Sequence, residues 1–170
     1  DIDGDGELHT LSVNDYNGKG QLEKSDRYHS IPASGAGTLS NNFHRTVYQY
    51  DQDTGRQTYV IQVVSGTDSS GLTDCVEQVS LTVYDELGRA VESKAGVSDA
   101  DHDMKTTNEY DTYPTLKTLS RTYYDESTPG SGTSGVGDGR VTSTRSYYDD
   151  SNYVESISYY DWRGRVRGST

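Results

Sequence analysis

The chain has 170 residues, and its 27 acidic and 15 basic side chains give a formal net charge of −12. That charge repels phosphate backbones and anionic lipid surfaces, and no Lys/Arg cluster offsets it, so the composition argues against nucleic-acid binding and membrane association. No apolar run approaches the roughly 18 residues of a membrane helix. Only 28 residues are Leu, Ile, Val or Phe, as in many disordered chains. The 15 tyrosines oppose that outcome, because tyrosine favours strands and buries a large ring.

The chain opens with an acidic segment, residues 1–12, in which carboxylates alternate with other residues. Carboxylates at positions i, i+2 and i+4 converge on one hard cation when a glycine bends the loop back. The run resembles the start of an EF-hand loop or of a propeller calcium loop. Ser12 stands where an EF-hand has its bidentate Glu, and a plain polar turn is the alternative. The candidate ligands for a structural Ca²⁺ are Asp1, Asp3 and Asp5.

A Tyr-Asp step followed by glycine and then arginine recurs along the chain. An early relative at 16–22 has Asn for Asp and Gln for Arg, a copy at 124–140 carries a long insert, and those at 110–114 and 148–152 lack the glycine. Asn17, Asp51 and Asp85 are spaced 34 residues apart, which fits two strands and two turns. The close copies consist of Tyr50, Asp51, Gly55 and Arg56; Tyr84, Asp85, Gly88 and Arg89; and Tyr160, Asp161, Gly164 and Arg165.

The segments that flank these motifs alternate between apolar and polar residues. This period of two, rich in Val, Thr and Tyr, is typical of half-buried strands, and no window carries a helical stripe. We therefore expect an all-β fold of consecutive antiparallel hairpins that add one unit at a time. The predicted strands before the motifs are 45–50, 79–84 and 155–160, and those after them are 57–64 and 89–93.

Three insertions, at 30–42, 65–73 and 127–139, interrupt the hairpin pattern. The last contains the glycine-dense run 130–139, which lacks the Lys of a phosphate-binding loop. We read it as a long, flexible hairpin loop. Such loops are where a binding function would be located.

Each residue type of the motif has a structural purpose that needs no active site. Asp or Asn accepts hydrogen bonds from backbone N–H groups two residues on and so begins a turn. Glycine takes the positive φ that closes the turn. Arginine leads the returning strand, where it can pair with a carboxylate or stack on tyrosine.

These motifs resemble the YD repeats of the Rhs family, which includes bacterial toxin-complex shells and teneurins. The resemblance is best at 84–89 and 160–165 and extends from Tyr16 to the end of the chain. It implies hairpins coiled into a spiral or solenoid-like β-sheet on secreted or cell-surface proteins. The chain is too short to close a shell, and nothing resembles the family's self-cleavage site or toxin. Because residue 1 is not Met, we expect 1–170 to be one segment of a longer YD-repeat protein, with further repeats or neighbouring subunits as partners.

Two other functions are alternatives to this structural one. Trp162 lies in a predicted turn beside Arg163, where it could contact a glycan or a cell-surface partner. An enzyme is the weakest alternative, because the four histidines share no spacing and belong to no recognised motif. The sequence therefore predicts no catalytic residue and, apart from the candidate Ca²⁺, no cofactor.

Overall fold

The structure, a computed structural model, describes residues 11–65, 76–98 and 116–170. The candidate calcium ligands Asp1, Asp3 and Asp5 lie outside these ranges, as do the motif copy at 110–114 and residues 66–73 of the second insertion. The described residues belong to two compact units. Unit 1 comprises 11–65, 76–80, 96–98 and Leu116, and unit 2 comprises 81–95 and 117–170.

Every regular element in the described ranges is a β-strand, as the sequence predicts. No helix there is long or apolar enough to cross a membrane. The strands are β1 (Ser12–Tyr16), β2 (Leu22–Tyr28), β3 (Phe43–Tyr50), β4 (Gln57–Ser65), β5 (Val76–Tyr84), β6 (Ala90–Ser98), β7 (Lys117–Tyr124), β8 (Val141–Tyr147), β9 (Tyr153–Tyr160) and β10 (Val166–Ser169).

The ten strands are hydrogen-bonded in their sequence order, β1 through β10, without a crossover, in one open antiparallel sheet. Each predicted strand before a close motif ends on the motif tyrosine, at Tyr50, Tyr84 and Tyr160. A spacing of about 34 residues therefore corresponds to one hairpin plus the connection to the next. The expectation of consecutive antiparallel hairpins is confirmed at this level.

The first insertion folds back on the sheet of unit 1. Leu39, within this loop, is buried together with Phe43 of β3 and Val63 of β4, and Tyr28 packs against this cluster. The rings of Tyr28 and Phe43 are 5.2 Å apart, a distance typical of a tilted aromatic pair. The loop thus contributes an apolar side chain to a small core, a contribution that its Gly/Ser-rich composition did not predict.

A buried ion pair joins β2 and β3 in unit 1. Asp26 and Arg45 lie directly opposite each other in the register of the two strands, and Arg45 donates to both carboxylate oxygens at 2.7 and 2.8 Å. The guanidinium also lies 5.4 Å from the centre of the Phe43 ring. Because the two charges are buried together, this bidentate pair fixes the register of the strands as well as contributing energy.

Candidate functional site: the repeat turns

Five turns of the same construction connect β1 to β2, β3 to β4, β5 to β6, β7 to β8 and β9 to β10. We call them turns 1 to 5, with residues 16–21, 50–56, 84–89, 124–140 and 160–165. Turns 1 and 2 belong to unit 1, and turns 3, 4 and 5 belong to unit 2. The turn-motif residues predicted from the sequence therefore occupy equivalent structural positions. The loose copies at 16–21 and 124–140 share those positions with the close ones.

The backbone of each turn is closed by one hydrogen bond between its Asp or Asn and its Arg or Gln. The N–H of the acidic or amide residue donates to the carbonyl of the Arg or Gln at 2.8 to 3.0 Å in all five turns. The glycine before the Arg or Gln has a positive φ in each, between 70° and 81°. The glycines are Gly20, Gly55, Gly88, Gly139 and Gly164.

The side chain of the Asp or Asn holds the turn from inside. Oδ1 of Asn17 accepts from the N–H groups of Lys19 and Gln21, and Oδ1 of Asp161 accepts from those of Arg163 and Arg165. The N–H of Arg165, followed by its guanidinium, lowers the pKa of Asp161 below its ordinary value. These hydrogen bonds favour the ionised carboxylate.

Turn 2 uses the same design with one extra residue. Oδ1 of Asp51 accepts from the hydroxyl and the N–H of Thr54, both at 2.6 Å. The Thr54 hydroxyl lowers the pKa of Asp51 below its ordinary value. The turn is still closed by the N–H of Asp51 on the carbonyl of Arg56, so the motif tolerates a change in length between Asp and Gly.

The tyrosine that begins turns 2, 4 and 5 reaches the preceding hairpin. The hydroxyl of Tyr50 donates to the carbonyl of Leu22, that of Tyr124 to Ala90, and that of Tyr160 to Val141. The acceptors are the first residues of β2, β6 and β8. In each of these pairs, the tyrosine thus binds the start of the return strand in the hairpin before it.

The Arg or Gln at the end of a turn reaches the following turn. In unit 1, Gln21 donates to the carbonyl of Gly55 at 2.8 Å. In unit 2, Arg89 donates to its own Asp85 at 2.7 Å, to Asp125 of turn 4 at 2.8 Å and to the carbonyl of Gly135 at 3.2 Å. Its guanidinium also lies 4.5 Å from the centre of the ring of Tyr124, the first residue of turn 4.

The same relation joins turns 4 and 5. The guanidinium of Arg140 lies 5.7 Å from the centre of the Tyr160 ring and contributes to the lowered pKa of Asp161. A Cβ added to Gly164 would collide with that guanidinium. Neighbouring turns within each unit are thus joined in both directions, by a tyrosine pointing back and by an Arg or Gln pointing forward.

The insertion in turn 4 is organised around Glu126, which the sequence analysis did not identify. Only 6% of this residue is exposed. Its carboxylate accepts from the N–H groups of Gly130 and Gly132. The further donors are the hydroxyls of Ser131, Thr142 and Ser143. The composition of this insertion predicts a flexible loop. In the structure, five hydrogen bonds to the Glu126 carboxylate fix its position.

The glycines of this insertion allow a close approach to turn 4 itself. A Cβ on Gly135 would lie 2.3 Å from the carbonyl oxygen of Asp125, so only glycine fits there. The N–H of Gly135 donates to the carbonyl of Tyr124 at 2.7 Å. The glycine-dense composition therefore reflects packing against the motif residues.

Arg145 lies between two tyrosines beside this insertion. Its guanidinium lies 4.9 Å from the centre of the Tyr123 ring and 4.6 Å from that of Tyr153. It pairs with Glu155 at 2.8 Å and donates to the carbonyl of Gly130 at 3.3 Å. Although burial alone lowers the pKa of Arg145, Glu155 and the tyrosines raise it above its ordinary value, so its charge is permanent.

The remaining candidate residues are not brought together. Trp162 is at the tip of turn 5 and is 85% exposed, and the guanidinium of Arg163 lies 4.5 Å from the centre of its ring. The described residues contain no group of three His, Cys, Asp or Glu that could hold a metal ion. The calcium site at Asp1, Asp3 and Asp5 stays a prediction because those residues lie outside the described ranges.

A shallow cleft of about 300 Å³ lies at the other end of β8, beside the turn into β9. Tyr147 and Tyr148 line it together with Asp149 and Asp150. Asp149 accepts from the backbone of its own turn, and Asp150 pairs with Lys117 at 2.6 Å. Both carboxylates in this cleft are thus engaged in structural contacts. This loose motif copy forms a turn at 148–152, at the opposite strand ends from turns 4 and 5.

No family model matches the chain, and no curated protein matches it. The resemblance to YD repeats therefore stays a prediction, which rests on the motif residues quoted above.

Replacing the left-handed glycine of a repeat turn is expected to destabilise the fold. In turn 1, Gly20 has a φ of 77° and no atom within 4 Å of an added Cβ, and Gly18 has equally open surroundings without a positive φ. Gly20→Ala should lower the free energy of unfolding by about 1–2 kcal/mol, whereas Gly18→Ala should cause no loss. Urea unfolding of the two variants measures the difference. Equal stability of the two variants would show that the positive φ at Gly20 does not affect the free energy of unfolding.

The Glu126 carboxylate is expected to stabilise the fold only while it is ionised. Burial raises the pKa of Glu126, but the hydroxyl of Ser143 and the N–H groups of Gly130 and Gly132 outweigh it, and the pKa is lowered overall. The contribution is thus complete above the unfolded pKa of about 4.3. It is lost as the pH falls through the lower folded value, because the unfolded chain binds the proton first.

Glu126→Gln places an NH₂ group among these donors and should cost about 1–3 kcal/mol at pH 7. The difference from the original chain should shrink as the pH falls below 4. Glu86→Gln in turn 3, where the side chain is exposed, is the matched control and should change stability by under about 0.5 kcal/mol. Urea titrations across this pH range test both. A loss for Glu126→Gln that stayed constant with pH would contradict the assignment.

Proposed function

We propose that the chain is a non-enzymatic structural segment of a large secreted or cell-surface YD-repeat protein, in which it forms part of a shell, stalk or fibre. The observation that carries this proposal is the two-way contact between successive repeat turns. Tyr124 reaches back to Ala90 while Arg89 reaches forward to Asp125. In an extended array each repeat contacts its neighbours, so residues at fixed positions that contact the next repeat are expected.

The energetics of such an array support a mechanical role. Each repeat gains stability from its own turn and from its neighbours, so the total grows as repeats are added. Among the described residues, the fully buried apolar side chains are few and small, with Ile61 and Val79 the largest. Cross-strand pairs of about 0.2–1 kcal/mol each therefore carry much of the stability. Adding repeats therefore lengthens the sheet and does not require a large apolar core.

The proposed partners and location follow from the same features. Among the strands of the described ranges, β1 and β10 have one neighbour each, and an open strand edge tends to pair with more chain. Further YD repeats of the same parent chain or neighbouring subunits would supply that pairing. The extracellular location is the one that the family resemblance implies, and the net charge of −12 disfavours nucleic acid as a partner.

The native assembly provides the test. Antibodies raised against the chain would be used to isolate the parent protein from its source, and negative-stain images and cell-surface labelling would show its form and location. We expect a particle or fibre much larger than 18.7 kDa that is exposed outside the cell. A small intracellular protein that turns over a substrate would reject the proposal.

A glycan- or partner-binding adhesion module is the second candidate, because Trp162 exposes nearly its whole side chain at the tip of turn 5. An exposed indole can stack on a sugar ring. Glycan-array binding that is lost in Trp162→Ala, but kept in a Tyr148→Ala variant that removes another exposed ring, would favour it. A blank array together with no partner in pull-down experiments would remove it.

A further inference from the structure

We infer that His29 and His44 form a binding site for a divalent transition-metal ion that prefers right-angled coordination, such as Ni²⁺ or Cu²⁺. Such a site goes beyond the proposed structural function and does not depend on it. The observations behind it are the distance between the two imidazole rings and the place of the two residues at the base of the first insertion. Both residues belong to unit 1.

The two histidines occupy matching positions where β2 ends and β3 begins. Tyr28 pairs directly with Phe43 in the register of these strands, and each histidine is the next residue along its chain segment. The N–H of His29 donates to the carbonyl of Asn42 at 3.0 Å, which continues the pairing past Tyr28. Because successive side chains alternate between faces, both histidines lie on the face opposite the buried Phe43, and both are exposed. They form a diagonal cross-strand pair, a separation that ring side chains can bridge.

The spacing of the two rings matches that of two ligands on one ion. Their centres are 4.6 Å apart, and their planes are inclined by 32°. With metal–nitrogen bonds of about 2.0–2.1 Å, two imidazoles at a right angle have ring centres about 4.5 Å apart, and two at a tetrahedral angle about 5.2 Å. The observed spacing therefore fits the right-angled coordination of Ni²⁺ or Cu²⁺ by nitrogen ligands better than a tetrahedral Zn²⁺ site.

The imidazole nitrogens are available to an ion. Within the described ranges, neither ring makes a hydrogen bond or an ion pair. The torsion between Cβ and an imidazole ring is broad, so one nitrogen of each exposed ring can turn toward a common point. The described residues supply no third His, Cys, Asp or Glu to the pair, and water would fill the other coordination positions.

The backbone beneath the pair is held in place by buried contacts. The rings of Tyr28 and Phe43 pack 5.2 Å apart, and the bidentate pair of Asp26 and Arg45 joins the same two strands one step further along. Two ligands presented from a fixed pair of strands lose little freedom when an ion binds. The fold thus preorganises a pair that is distant in sequence.

The ion would link the two ends of the first insertion. His29 directly precedes the insertion at 30–42, and His44 lies two residues beyond it. A metal clip that closes a loop stabilises the folded chain by restricting the unfolded one. The insertion contributes Leu39 to the small core of unit 1, so a clip at its base would also hold that core together.

One positive charge lies close to the proposed site. Arg27 is directly opposite His44 and is exposed. The other residues at neighbouring positions of the register, Ser12 of β1, Thr46 of β3 and Val64 of β4, are uncharged. The net charge of −12 attracts cations in general, whereas Arg27 opposes one at this point. Arg27→Ala should therefore tighten metal binding about threefold, and equal or weaker binding in that variant would count against an ion beside His44.

The test is a calorimetric titration of the untagged full chain with Ni²⁺. Ni²⁺ is the probe because the thiol of Cys75 can reduce Cu²⁺. We expect one site that needs both histidines, so His29→Ala and His44→Ala should each weaken binding at least about tenfold, a loss seen even for mutations outside the ligand shell of a metal. The matched control is His102→Ala, which removes another histidine and should bind as the original chain does. Circular dichroism checks that every variant is folded.

Two further measurements distinguish this site from Ni²⁺ held by the many carboxylates of the chain. Binding at about pH 7 should be lost at about pH 5, because protons compete with a metal for imidazole more strongly than for carboxylates. The urea midpoint should rise with the logarithm of free Ni²⁺ for the original chain and stay unchanged for His44→Ala. A titration without binding, single variants that bind normally, or binding that persists at the lower pH would each overturn the inference and leave the proposed structural function unaffected.

Discussion

The fold depends on the hydrogen bonds that a carboxylate or amide side chain makes inside each repeat turn. Oδ1 of Asp161 accepts from two backbone N–H groups of its own turn, and Asn17 does the same without a charge. The turn, once closed, places an Arg or Gln at its last position and a tyrosine at its first. The contacts from Tyr50 and Gln21, and from Tyr124 and Arg89, start from those two positions.

This arrangement explains how a chain with few aliphatic residues can form a sheet. Buried polar groups take positions that apolar residues usually occupy, as Asp26 and Arg45 do between β2 and β3. Glu126 gathers five donors in the same way. Such groups exclude other pairings, because a shifted register would leave a buried charge without a partner. Specificity is obtained from polar pairs, and stability accumulates with the number of repeats.

The sequence predicts the strands and turns well because both depend on local patterns. Alternation placed the strands that end at Tyr50, Tyr84 and Tyr160, and the Asp-to-Gly spacing placed their turns. Composition alone could not place Glu126 or Arg145, since some of their partners are distant along the chain: Ser143 is 17 residues from Glu126, and Gly130 and Tyr123 are 15 and 22 residues from Arg145. Leu39 was overlooked for the same reason, because its burial depends on Val63 of β4. Gly and Ser content thus predicts where these two loops lie in the chain, whereas their packing depends on tertiary contacts.

The direction of the inter-repeat contacts has a consequence for how repeats can be joined. Within each unit the tyrosine contacts the hairpin before it, as Tyr50 contacts Leu22, and the last residue of a turn contacts the hairpin after it, as Gln21 contacts Gly55. A repeat joined in the reverse sense would bring two tyrosines or two guanidinium groups together. The second pairing places like charges side by side, which is unfavourable. The motif therefore specifies the direction in which repeats follow one another as well as the shape of each turn. Turn 4 shows that a long insertion can be accommodated without changing that direction. The free-energy cost of loop closure rises only slowly with loop length.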